Sequence, residues 1–193
     1  MAKQLSLMGF EDAQPTDRLF FAIFPDANSA ARIARLAEGL RDSHGLRGKP
    51  LASDRFHITL HHLGDHVGLP QSIVAAACEA GANVTMPQFD VAFDQVGGFA
   101  RGTGNRPFVL QGGDGLAALA LFQRVLGTAM MKAGLKRWTE TSFTPHVTLL
   151  YDDQEVARYS VETIGWTVKE FVLVQSLLGQ TRHIPLARWQ LRG

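Results

Sequence analysis

His57-Ile58-Thr59-Leu60 and His146-Val147-Thr148-Leu149 carry the most information in this chain. Each runs histidine, β-branched residue, threonine, leucine. They begin 89 residues apart in a chain of 193 residues that contains 7 histidines. Such a repeat indicates an internal duplication at the level of one lobe, although the two halves show no wider sequence identity. The β-branched residues inside each tetrapeptide favour strands. On a strand, side chains two apart share a face, with Cα atoms about 6.6 Å apart. His57 therefore shares a face with Thr59, and His146 with Thr148, while Ile58, Leu60, Val147 and Leu149 turn inward. A lone His-x-Thr is most simply a half-buried histidine with a hydrogen bond. Two copies at lobe spacing point to one shared site. If the strands face each other across a cleft, two imidazoles and two hydroxyls surround one anion. One imidazole can then accept a proton while the other gives one, and the hydroxyls can donate to phosphate oxygens.

The elements around the two motifs set the fold class. Arg18 to Phe24 is a short apolar run stopped by Pro25 and reads as a buried strand. Asp26 or Asn28 can cap a helix through Ile33, Leu36 and Leu40 that closes at Gly45. Phe56 to Leu63 reads as a strand ending at Gly64, and Gln71 to Ala80 as an alanine-rich helix. Phe89, Val91 and Phe93 alternate with polar or small residues, which is a half-buried strand pattern. Gly97-Gly98 and the stretch from Arg101 to Asn105 read as loops. Pro107 to Leu110 is a strand, Asp114 can cap a long helix that closes at Gly134, and Phe143 to Tyr151 is the next strand. Thr167 to Ser176 and Arg182 to Leu191 form a final β pair. This mixed order of short strands and helices predicts an α+β fold with antiparallel sheets, not a doubly wound parallel sheet. Residues 1–17 read as a flexible N-terminal leader and residues 18–193 as one domain.

Composition sets the outer limits. The chain is 46% hydrophobic and 19% charged, which excludes a disordered chain, a coiled coil and a collagen-like fibre. No apolar run reaches the roughly 18 residues of a membrane span, and the first residues do not read as a signal peptide. The single cysteine, Cys78, rules out an internal disulfide, suits a reducing cytoplasm, and reads as a small core residue. The net charge of +1 is uninformative, but from Gln95 to Trp138 six basic residues (Arg101, Arg106, Arg124, Lys132, Lys136, Arg137) face one acid, Asp114. A basic stretch suits an anionic ligand such as a nucleic acid, and its simpler reading is a solvated basic surface.

His57, His61, His62 and His66 are close enough in sequence for metal binding to be weighed. Helical spacing would suit zinc, but Ile58 and Thr59 favour a strand and Gly64 breaks a helix. On a regular strand, His61 joins the face of His57 and Thr59, and His62 points away. No metal is expected. The glycine-rich run Arg101-Gly-Thr-Gly-Asn105 lacks a following helix and a Lys-Ser/Thr pair, so it is no triphosphate loop. His44 and His183 read as surface residues.

Paired His-x-Thr-Leu motifs resemble those of the 2H phosphoesterase superfamily. Arg18-Leu-Phe-Phe-Ala-Ile is similar to the opening strand of its RNA 2′,3′-cyclic phosphodiesterase branch, also called the 2′-5′ RNA ligases. Arg55-Phe-His-Ile-Thr-Leu-His-His-Leu-Gly64 resembles that branch's first motif. Val96-Gly-Gly-Phe99, Phe143-Thr-Pro-His-Val-Thr-Leu149, Val174-Gln-Ser176 and Trp189-Gln-Leu191 resemble its later segments. The resemblance spans about residues 18–191.

It implies a bilobal α+β fold in which two similar lobes enclose a cleft, with one motif from each. It implies hydrolysis of a 2′,3′-cyclic phosphate at an RNA 3′ end to a 2′-phosphate, with possible 2′-5′ ligation when a 5′-hydroxyl replaces water. By analogy His146 is the base that activates water, His57 the acid that protonates O3′, and Thr59 and Thr148 hold phosphate oxygens. No metal or nucleotide cofactor is implied. Where many relatives carry arginine just after the second motif this chain has Tyr151; Arg55, Lys136 or Arg137 can supply charge. The expected partner is RNA, or a nucleotide, with a 2′,3′-cyclic phosphate, bound by a cytoplasmic monomer. The alternatives are a binding module without turnover and a phosphodiesterase for another cyclic or 2′-5′-linked nucleotide.

Overall fold

The apolar run at the start of the chain forms strand β1 (Asp17–Ile23), which lies inside a sheet and is buried on both sides. In the computed structural model, which describes residues 13–99 and 104–192, it is followed by α1 (Ala27–His44), β2 (Ile58–His66), α2 (Gln71–Ala82), β3 (Phe89–Gly98), β4 (Arg106–Gln111), α3 (Ala117–Lys132), β5 (His146–Asp152), β6 (Tyr159–Val168), β7 (Glu170–Leu177) and β8 (Arg182–Gln190). Most of the 1–17 leader, together with Arg101, lies outside the described residues. Asp17 is already in β1, and the backbone N–H of Thr16 donates to the His66 carbonyl at 2.8 Å.

The strands form two four-stranded sheets, ordered β2-β1-β7-β8 and β5-β4-β3-β6, and every pairing is antiparallel. Each sheet has one motif strand at its edge, and the two motif strands, β2 and β5, touch. The fold is therefore α+β, with the duplication visible as two sheets of equal size.

Leu19, Phe21 and Ile23 enter the main core with Phe171, Leu173 and the apolar faces of the helices. On the opposite face, Phe20, Ala22, Val172 and Val174 form a small second cluster against Phe24. This second cluster floors the region around the first motif. α1 packs against β5 and β6, whereas α3 packs against α2 and reaches both β3 and β2. Asp26 caps α1 by accepting from the Ser29 N–H at 2.8 Å, and Gly45 ends it at φ 63° in the left-handed region.

Four expectations need correction. β2 does not stop at Gly64 but continues to His66; its register with β1 shifts around Gly64, which adopts φ +99° with Trp138 packed against it. Gly97 and Gly98 are not loop residues; both pair with β4. Asp114 opens a single 3-10 turn, Asp114–Leu116, and α3 itself begins at Ala117. Strand β6 was not predicted from the sequence. Its first half is largely exposed, and only Ile164, Trp166 and Val168 alternate toward the core.

Candidate active site

Both motif strands carry a β-bulge at the same motif position. In β2, Ala22 pairs with Thr59 and Phe21 with His61, so Leu60 is the extra residue. In β5, Val109 pairs with Thr148 and Phe108 with Leu150, so Leu149 is the extra residue. A bulge adds one residue and reverses the alternation beyond it. Up to the bulge the strand rule holds, so His57 with Thr59 and His146 with Thr148 each share a face. Beyond it the rule inverts. His61, expected beside His57, turns into the interior, where it is 1% exposed. His62, expected to point away, pairs with Phe20 on the face of the motif. Tyr151 is its counterpart in β5, three residues after the motif threonine, and is exposed opposite Pro107.

The two motif imidazoles are oriented alike. Nδ1 of His57 lies 2.7 Å from the Arg55 carbonyl oxygen, and Nδ1 of His146 lies 2.8 Å from that of Thr144. A carbonyl only accepts, so each Nδ1 carries a proton and donates it. That fixes the tautomer of each neutral ring, leaving Nε2 as the atom with a free lone pair. The partner is in both cases two residues before the histidine.

Their surroundings differ. His57 stacks on Phe20 with ring centroids 5.1 Å apart, lies 6.0 Å from Phe24, and meets the ring of His183 edge-on at 5.1 Å. Removal of the ring from water lowers the His57 pKa from 6.5 to about 4. The bond to the Arg55 carbonyl opposes this shift, and the nearby Arg55, His183 and His146 add to it. Among the described residues His146 has one aromatic neighbour, Phe99, edge-on at 4.9 Å.

Arg55 ends the 3-10 turn Ser53–Arg55 that leads into β2. Its charge adds to the effect of burial in lowering the pKa of both His57 and His183, and its buried Nε has no hydrogen-bond partner among the described residues. Tyr151 lies near Arg18. Arg18 itself grips Asp65 with two 2.7 Å hydrogen bonds, and that contact lowers the Asp65 pKa to about 2. Arg137 lies over the Trp138 ring at 4.3 Å, and that ring packs beside Gly64 toward the far end of β2.

His183 was expected at the surface and instead packs against the His57 ring. Its partner across the β7–β8 ladder is Ser176, and no sequence pattern near it signals the contact. The buried His61 joins three elements. Its Nε2 donates to the Gln123 carbonyl at 2.9 Å, while its Nδ1 accepts from the Glu140 N–H at 3.3 Å and from Gln123 Nε2 at 3.4 Å. The histidine run is thereby divided between the two faces of β2. Among the described residues no group of three His, Cys, Asp or Glu side chains is arranged to hold a metal.

A family model for the 2′-5′ RNA ligase superfamily matches residues 24–180. The chain belongs to this superfamily. It is 31% identical over 180 residues to the RNA 2′,3′-cyclic phosphodiesterase of Escherichia coli (strain K12), covering 90% of this chain and 96% of that one. The crystal structure of Escherichia coli LigT in apo form superposes with a TM-score of 0.66 at 29% identity, covering 93% of this chain and 100% of that one. A crystal structure described as a phosphoesterase gives a TM-score of 0.70 at 29% identity over 93% of this chain and 100% of that one. LigT has also been crystallised with ATP, 3′-AMP, NADP+ and phosphate.

Proposed function

We propose that this protein hydrolyses 2′,3′-cyclic phosphates at RNA 3′ ends to 2′-phosphates. The observation that carries this reading is the pair of imidazoles on touching edge strands, each oriented by the same Nδ1–H to carbonyl bond. Membership of the 2′-5′ RNA ligase superfamily and the likeness to a cyclic phosphodiesterase supply the substrate class.

In the proposed reaction, Nε2 of His146 takes a proton from water as the water oxygen attacks phosphorus. The P–O3′ bond breaks, and Nε2–H of His57 gives its proton to O3′. The Thr59 and Thr148 hydroxyls donate to the non-bridging oxygens, and the Arg55 charge offsets the charge on the phosphate. With a 5′-hydroxyl in place of water, the same bond changes give a 2′-5′ linkage. His57 has to be protonated when it acts as the acid. The empty cleft holds it neutral near pH 7, so the phosphate anion has to draw the proton in. Tyr151 contacts substrate on the Thr148 side, and Arg137 adds charge for a longer RNA.

Both motifs come from one chain, which supports a monomer as the active unit. Among the described residues no helix is long and apolar enough to cross a membrane. With one cysteine in the chain, we place the reaction in the cytoplasm. The test is turnover of a 2′,3′-cyclic nucleotide in the presence of a chelator, with the product identified by phosphorus NMR. A 2′-phosphate is expected. A protein that binds the nucleotide without turning it over would contradict this reading.

A further inference from the structure

A cavity of about 650 Å³ opens beside His57. The rings of Phe24 and His183 line it and also touch His57, whereas none of the four motif residues lines it. The cavity therefore begins one ring's breadth beyond the imidazole. We propose that it is the subsite for the nucleoside adjoining the cyclic-phosphate nucleotide, so that an RNA 3′ end is held by at least its last two residues. This rests on the cyclic phosphodiesterase reading.

Size, shape and charge select a nucleoside. The volume lies within the range of small-molecule sites. Phe24, Val174 and Pro185 give it an apolar surface on which a base can lie. Its charged lining consists of Asp26, Asp54 and Glu170 against Lys169 and Arg188. Carboxylates thus outnumber fixed cations, which disfavours a phosphate and suits the neutral base and ribose hydroxyls, whose donors need acceptors.

Some of this polar lining is already engaged. Asp26 caps α1, and Glu170 accepts from Arg188 at 2.5 Å and from Gln190 at 2.6 Å. Asp54 makes no side-chain hydrogen bond or ion pair among the described residues. His183, on the wall shared with His57, has a buried Nδ1 without a hydrogen-bond partner among the described residues. A built pocket with unspent polar groups, contiguous with the proposed acid, is what a second nucleoside requires.

The position favours the adjoining nucleoside over the reacting one. The reacting ribose has to place O3′ at His57 Nε2, which fills the space at the imidazole itself. What lies beyond His183, whose ring centroid is 5.1 Å from that of His57, is left for the next residue.

The test compares the affinity of 3′-AMP with that of a diadenosine ending in a 3′-phosphate, by calorimetry. Wild type is set beside Pro185→Leu and Thr167→Leu, which fill the cavity from β8 and from the end of β6. Both positions are exposed, and neither belongs to the proposed catalytic set. Wild type should bind the dinucleotide about 5- to 150-fold tighter, the range expected for one stacked base. Each variant, melting as wild type does, should lose most of that advantage while its 3′-AMP affinity stays unchanged. A wild type without dinucleotide preference, or folded variants that weaken both ligands equally, would overturn the proposal. The affinity ratio is readable even in a protein that turns nothing over, so failure of the subsite and failure of the catalytic reading are separable.

Discussion

His57 and His146 donate from Nδ1 to the same kind of partner at the same step along the chain: the carbonyl two residues earlier, at 2.7 Å and 2.8 Å. Each stands two residues before a threonine and three before a bulged leucine. The repeat visible in the sequence is thus a repeat of tautomer and of backbone geometry. What breaks the equivalence is packing. Phe20, Phe24 and His183 enclose one ring, while the other has, among the described residues, a single aromatic neighbour, Phe99.

That asymmetry predicts proton uptake on binding. His57 is neutral in the empty cleft, since its pKa is lowered to about 4. A bound phosphate beside it favours the charged imidazole. Calorimetry of inorganic phosphate at pH 7 in buffers of different ionisation enthalpy should show close to one proton taken up per site. His57→Gln should abolish most of that uptake. Binding without proton uptake would mean that His57 stays neutral, and would exchange the acid and base roles.

The same shift predicts a loss of stability in mild acid. Above pH 6.5, His57 is neutral in both the folded and the unfolded chain, so it gives no pH dependence. Between pH 6.5 and about 4, the unfolded chain binds a proton that the folded one refuses, and stability falls. The full loss is about 3 kcal/mol. His61 and His183, whose pKa values are also lowered by burial, act in the same direction. The carboxylates of Asp65 and Asp152, lowered to about 2, weaken the fold only at lower pH. Urea unfolding at pH 7 and at pH 4.5 should therefore show a smaller drop for His57→Gln than for wild type. An equal drop in the two proteins would contradict the buried neutral ring.

Gly64 is required where the register of β2 with β1 shifts. It adopts φ +99°, and a Cβ there would stand 2.5 Å from the Trp138 ring. Gly64→Ala should cost about 2 kcal/mol or more, from backbone strain and from displacement of Trp138. Thermal unfolding of the variant measures this, and an unchanged melting temperature would contradict it.

Much of this was legible in the sequence for physical reasons. The strand period assigned faces correctly as far as the threonines, because His57–Thr59 and His146–Thr148 precede the bulges. It failed at His61 and His62, because one inserted residue inverts the side chains that follow it and no residue type announces the insertion. His183 was missed because its contact with His57 is made across the sheet, between strands far apart in the sequence. Strand β6 was missed because its first half is largely exposed and shows no apolar alternation. The capping of α1 by Asp26 and its end at Gly45 were legible because both are local.

The central claim is two-histidine acid–base catalysis on a cyclic phosphate. The most direct measurement is turnover of a short RNA ending in a 2′,3′-cyclic phosphate, across pH and without metal, by wild type, His57→Ala and His146→Ala. Wild type should give the 2′-phosphate with a bell-shaped pH profile, and each variant should fold and lose about 10²–10⁴-fold in rate. A folded His57→Ala or His146→Ala protein with full activity would contradict the account.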